Sequence, residues 1–277
     1  MSCRPVLVLA LLGVAAGQAL ASGTSWREPA GPGEVDSRVP DPHEQRVFAQ
    51  AYCAARPGST CTPRTVGSLV FYDRLVSTLV VYGSFAKANA REALVTQCAA
   101  ESDRCEGVTL FRRLGNRWNV VHRTPGITPR ECLKLRGVDG RDVLACRGNT
   151  IFLPGPGLSL DFVAVGGKRT YRKPLLPTRN LNCQKTQDAV NFAWLGDWSR
   201  RDVDGDGRAD LTVQLRQYRL TFADEEGCLA RDARSVQEKT TSLTWFMRGD
   251  TLVPDGSARR AVHELKEVSG LNSTLAA

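Results

Sequence analysis

Between residues 202 and 211 the chain reads Asp-Val-Asp-Gly-Asp-Gly-Arg-Ala-Asp-Leu, and no other stretch limits its folding so tightly. Four aspartates fall at positions 1, 3, 5 and 9 of this segment, with glycine at position 6. Carboxylates held so close oppose one another's ionisation. A hard cation among them removes that penalty, and calcium takes six to eight oxygens at about 2.3–2.6 Å from carboxylates and backbone carbonyls. On this reading Asp202, Asp204 and Asp206 give side-chain oxygens, Arg208 gives its backbone carbonyl and Asp210 closes the shell. Gly207 permits the sharp turn. Magnesium fits less well, because it keeps several waters and uses few carboxylates. The metal-free alternative is a hairpin turn balanced by Arg200, Arg201 and Arg208.

The loop departs from an EF-hand, which needs a bidentate glutamate at position 12; Val213 stands there instead. Leu211 to Leu215 alternates apolar and polar residues, which predicts a strand rather than a helix. Upstream, Phe192 to Trp198 also has strand composition. An Asp-rich loop between two strands, running from Gly196-Asp197-Trp198 to Asp210-Leu211-Thr212-Val213, resembles the FG-GAP or VCBS-type repeat. The match covers residues 196–213. The resemblance implies a structural calcium ion, the β-propeller fold of such repeats, and an extracellular or periplasmic setting.

The first 21 residues read as a secretory signal: Arg4, then the apolar run Val6 to Ala16, then Ala19-Leu20-Ala21 as the cleavage site. Its removal discards Cys3 and leaves eight cysteines. An even count behind a signal predicts disulfides rather than a metal cluster. Spacing suggests that neighbours pair: Cys53–Cys61, Cys98–Cys105, Cys132–Cys146 and Cys183–Cys228. Loop closures of this size are worth roughly 2–4 kcal/mol each in the chain-entropy picture.

The formal charge of +8 is scattered, with no run long enough to form a basic tail. Its densest cluster, Lys168-Arg169-Thr170-Tyr171-Arg172-Lys173, suits either an anionic glycan or phosphate surface or a solvated loop. Nucleic acid is disfavoured, since no binding module is recognisable in a chain that reads as exported.

The chain divides into a leader over 22–43, a helix with a disulfide loop over 44–65, a β region over 66–256 and a tail over 257–277. Glu44 to Ala55 has helical periodicity, with Val47, Phe48 and Ala51 on one face and Asp41 placed to cap its start. Leu69–Tyr72, Ser77–Tyr82 and Glu92–Val95 read as strands. Two hairpins are predicted, across Gly115-Asn116 and across Gly249-Asp250. The segments 83–95 and 135–144 look like eroded copies of 196–213, giving a period of about 50–70 residues. The expected fold is therefore mainly β: a small or incomplete propeller of degenerate repeats, or else a β-sandwich or stack of sheets.

Catalytic signals are weak. His43, His122 and His263 are far apart, and neither a G-x-S-x-G elbow nor an H-E-x-x-H motif occurs. Asp161 with Glu225 or Glu226 is a conceivable carboxylate pair, and Trp194, Trp198, Trp245 and Phe246 suit either a sugar platform or the core. The primary expectation is a secreted or periplasmic calcium-binding module that engages a protein or glycan without catalysis. The alternative is a polysaccharide hydrolase or lyase with a structural calcium.

Overall fold

The structure is a computed structural model that describes residues 35–56, 61–72, 74–99, 105–150, 157–166, 168–177, 189–222 and 233–268. Helix α1 (Pro42–Ala54) comes first. Asp41 accepts from the Glu44 amide while the Glu44 carboxylate accepts from the Asp41 amide, a capping box reinforced by Pro42 in the first turn. The buried residues are Gln45, Phe48, Ala49, Ala51 and Tyr52; Phe48 and Ala51 are buried as expected, whereas Val47 is only half-buried at the margin. The expected leader is docked over its last residues: Asp36 and Ser37 hydrogen-bond Cys132, and Arg38 pairs with Val80.

Fourteen strands follow: β1 (Arg64–Val66), β2 (Leu69–Tyr72), β3 (Leu75–Gly83), β4 (Glu92–Ala99), β5 (Cys105–Leu114), β6 (Arg117–Pro125), β7 (Pro129–Arg136), β8 (Asp142–Thr150), β9 (Gly157–Gly166), β10 (Arg169–Pro177), β11 (Ala189–Arg201), β12 (Asp210–Phe222), β13 (Ala233–Arg248) and β14 (Thr251–Pro254). They form three antiparallel sheets in chain order: β1 to β6, β7 to β10 and β11 to β14. The predicted hairpins are present, with Leu114 opposite Arg117 and Arg248 opposite Thr251. Helix α2 (Gly256–Val268) closes the described chain. It takes up the first part of the segment expected as a tail, because the Asp255 carboxylate caps the Ala258 amide and starts a helix there.

The sheets are layered face to face. Phe48 and Tyr52 of α1 pack on one face of the first sheet, against Val80, Val95 and Phe111. The opposite face presents Val81, Leu94 and Leu110 to Leu144 and Val163 of the middle sheet. Val143 and Ala145 instead join Leu211, Val213, Leu243 and Trp245 of the third sheet. Alternate residues of β8 thus serve two cores, so the middle sheet is apolar on both faces. Trp198 and Trp245 are core residues, not a platform; the Trp194 side chain lies outside the described residues.

The described strands do not close into a propeller. Helix α1 covers the outer face of the first sheet, where another blade would stack, and the outer face of the third carries Gln214, Ser242 and Thr244. Three of the four expected disulfides are present, Cys53–Cys61, Cys98–Cys105 and Cys132–Cys146. Cys183 and Cys228, like the signal segment and Glu225 and Glu226, lie outside the described residues. No helix among those described is long and apolar enough to cross a membrane.

Candidate metal centre

Strands β11 and β12 pair up to Arg201 opposite Asp210, and residues 202–209 form the loop between them. Gly205 and Gly207 both adopt positive φ, 77° and 81°, where other residues are strained. Those two turns point backbone amides inward. Asp202 accepts from Gly205 and Asp206 through Oδ1, at 2.8 and 3.1 Å, and from Gly207 through Oδ2 at 2.9 Å. At the far end Asp210 is fully buried; its Oδ2 accepts from the Val203 amide and its Oδ1 from the Met247 amide of β13. These bonds fix the carboxylates; Asp202 Oδ2 and the two Asp210 oxygens each accept one of them and keep a second lone pair for another partner.

Ligand atoms of Asp202, Asp204 and Asp210 lie within 4.8 Å of one another, close enough for one cation to touch all three. Asp206 is expected to join them, but the arginines engage it instead. Its Oδ2 accepts from Arg208 at 2.7 Å and from Arg248 at 2.9 Å. The Arg208 contact, more than any other, holds the Asp206 carboxyl below its usual range. Arg248 also reaches Asp204, and that bond raises its own pKa. Of the arginines expected to balance the loop, Arg208 does so, whereas Arg200 is turned toward Asp36 and the Lys134 carbonyl.

Arg248 was not visible as a participant in the sequence, because it lies 42 residues beyond Asp206. A signal was there nonetheless: it is the last residue before the Gly249-Asp250 turn. Within that turn, Asp250 accepts from the Val138 amide and from Arg141, which joins the loop end of the third sheet to the β7–β8 turn.

The other candidate groups sit elsewhere. His43 is on α1, His122 on β6 and His263 on α2. His122 Nε2 lies 3.0 Å from Thr170 Oγ1, and burial lowers its pKa. Asp161 is buried on β9 beside Ser159, with Arg172 3.8 Å away, and burial pushes its carboxyl upward. No family model, curated protein or solved structure matches this chain, so the loop and the sheet geometry carry the functional reading.

Proposed function

We propose that this is an exported, disulfide-stabilised β protein whose Asp202–Asp210 loop binds one calcium ion, and that it works as a non-catalytic binding module. The observation that carries the reading is the convergence of Asp202, Asp204 and Asp210 on one point of a loop already shaped by backbone amides. Arg208 would add its backbone carbonyl, and water the remaining oxygens. Because the loop is pre-shaped, the ion adds stability by mass action and clamps β11 to β12. Three disulfides fit an oxidising compartment, as export requires.

The finer fold reading is a degenerate repeat of the FG-GAP/VCBS type. It is supported by three successive four-stranded meanders, β3–β6, β7–β10 and β11–β14, each with an acidic residue opening its second strand: Glu92, Asp142 and Asp210. The test is a thermal melt of the oxidised protein in excess EGTA and in calcium. At a hundred times its dissociation constant one ion adds about 2.7 kcal/mol, a rise of roughly 5–10 °C for a chain this size. A melt that calcium leaves unchanged makes the loop an arginine-balanced turn and removes the proposal.

A further inference from the structure

We propose that the β10 edge of the middle sheet is a docking strip for an acidic polysaccharide. β10 ends the strand order β10-β9-β8-β7, so one side of its backbone is unpaired within the sheet. Lys168, Arg169, Tyr171, Arg172 and Lys173 are all exposed along it. No carboxylate of the described residues lies within ion-pairing distance of Lys168, Arg169 or Lys173, and the partner of Arg172 is the buried Asp161. Other arginines are matched: Arg38 with Glu44, Arg112 with Glu92, Arg141 with Asp250. Cations on an edge strand ordinarily discourage pairing with another chain, and that alone would account for the charge.

It does not account for Tyr171. This is the most exposed aromatic side chain among the described residues, 41% exposed in the middle of the cationic run. Strand alternation places Arg169, Tyr171 and Lys173 on one side of β10, successive side chains about 7 Å apart. The ring is held in place from beneath. It packs toward Phe162, 6.3 Å between centroids, and a Cβ on Gly166 would come within 3.1 Å of its Cε1. A part-exposed ring braced by Phe162 and Gly166, flanked by two cations with no ion-pair partner among the described residues, matches the two surfaces of an acidic sugar. The apolar face of the pyranose stacks on the ring, and carboxylate or sulfate groups meet the cations. An anionic lipid surface would meet the same cations and seat the ring at headgroup level rather than stack it on a sugar, so the vesicle arm of the test separates the two.

The proposal rests on the reading of an exported binding module but not on the calcium loop, which lies in another sheet; melts with and without calcium report on that loop separately. The test is titration of the full oxidised chain, in EGTA, into labelled heparin and labelled polygalacturonate at about 150 mM salt. Neutral dextran and vesicles containing phosphatidylglycerol serve as comparisons. Binding to either acidic polymer and none to dextran is expected. A triple variant, Lys168→Gln with Arg169→Gln and Lys173→Gln, should weaken it about tenfold or more. Tyr171→Ala should weaken it severalfold, with Tyr171→Phe retaining affinity. A control triple of equal charge loss, Arg64→Gln with Arg117→Gln and Arg259→Gln, should change it less than about twofold. Equal losses in the two triples, no binding by the wild type, or binding to vesicles alone would each overturn the strip.

Discussion

The β11–β12 loop and the two connections in the same place in the other meanders, 84–91 and 137–141, end on one device and differ in what surrounds it. Each following strand opens with a buried acid, both of whose oxygens accept hydrogen bonds. Glu92 accepts from the Ala86 amide and from Arg112. Asp142 accepts from the Ser84 amide, donated by the β3–β4 connection of the neighbouring sheet, and from Arg136. Asp210 accepts from two amides, Val203 and Met247. The buried acid therefore belongs to the fold, since it satisfies amides that the turn withdraws from water. The exposed Asp202 and Asp204 have no counterpart in the other two connections at comparable positions, and they are what turn a structural corner into a candidate cation site.

The largest effect should come from breaking the shared device. Asp210→Ala leaves the buried Met247 amide and the part-buried Val203 amide without acceptors and should lower stability by about 3 kcal/mol even in EGTA, with Asp142→Ala and Glu92→Ala in the same range. Urea denaturation of the oxidised protein measures all three. A mild Asp210→Ala, below about 1 kcal/mol in EGTA, would mean that the aspartate is chiefly a ligand and the comparison fails.

Next in size is the calcium response, which should separate the two kinds of aspartate. Asp204→Asn should abolish the calcium-dependent rise in melting temperature while leaving the EGTA melt within about 2 °C of wild type, because its own bonds are exposed. Glu92→Ala should melt lower throughout yet keep the full calcium increment. If Asp204→Asn retains the increment, the ion is bound somewhere else.

A smaller effect tests the contrast between filled and unfilled acids. Asp161 is as buried as the three corner residues, yet its Oδ1 has no partner. Burial raises its pKa, so the stability it confers is full below the unfolded value and is lost as pH rises through the folded one. At neutral pH it is thus a liability. Asp161→Asn should gain about 1 kcal/mol at pH 7, and the gain should shrink as pH falls toward 4. A variant less stable than wild type at pH 7 would show that the charge is compensated after all.

Local features were legible in the sequence and tertiary ones were not. Gly115-Asn116 and Gly249-Asp250 announced their hairpins because a two-residue turn is a local event. Neighbouring cysteines bridge for a related reason: Cys132 and Cys146 face each other across β7 and β8. The Asp-rich loop was readable as a pattern of charge and glycine. What the pattern lacked was the third dimension. Nothing near residue 204 points to Arg248, which arrives through the pairing of β12 with β13. Nor does alternation along β8 reveal that both its faces are buried, which is why stacked sheets and a propeller looked alike until α1 was seen covering the first sheet.

The smallest predicted effect concerns that arginine. Arg248 donates to Asp204 and Asp206 from an exposed position and lies over the Phe246 ring, so its guanidinium already supplies positive charge where a cation would sit. Calcium must then bind against a resident cation. Arg248→Gln removes that repulsion but keeps a hydrogen-bond donor, and calcium affinity should rise by about three- to tenfold by calorimetry. The melt in EGTA should hardly move, since exposed pairs add little to folding. The competition also has a salt signature: screening weakens the arginine contacts, so the advantage of the variant over wild type should narrow as ionic strength rises. Weaker binding by Arg248→Gln would mean that the arginine positions Asp204 for the metal, and the 202–209 loop would then depend on β13 for its shape as much as for its charge.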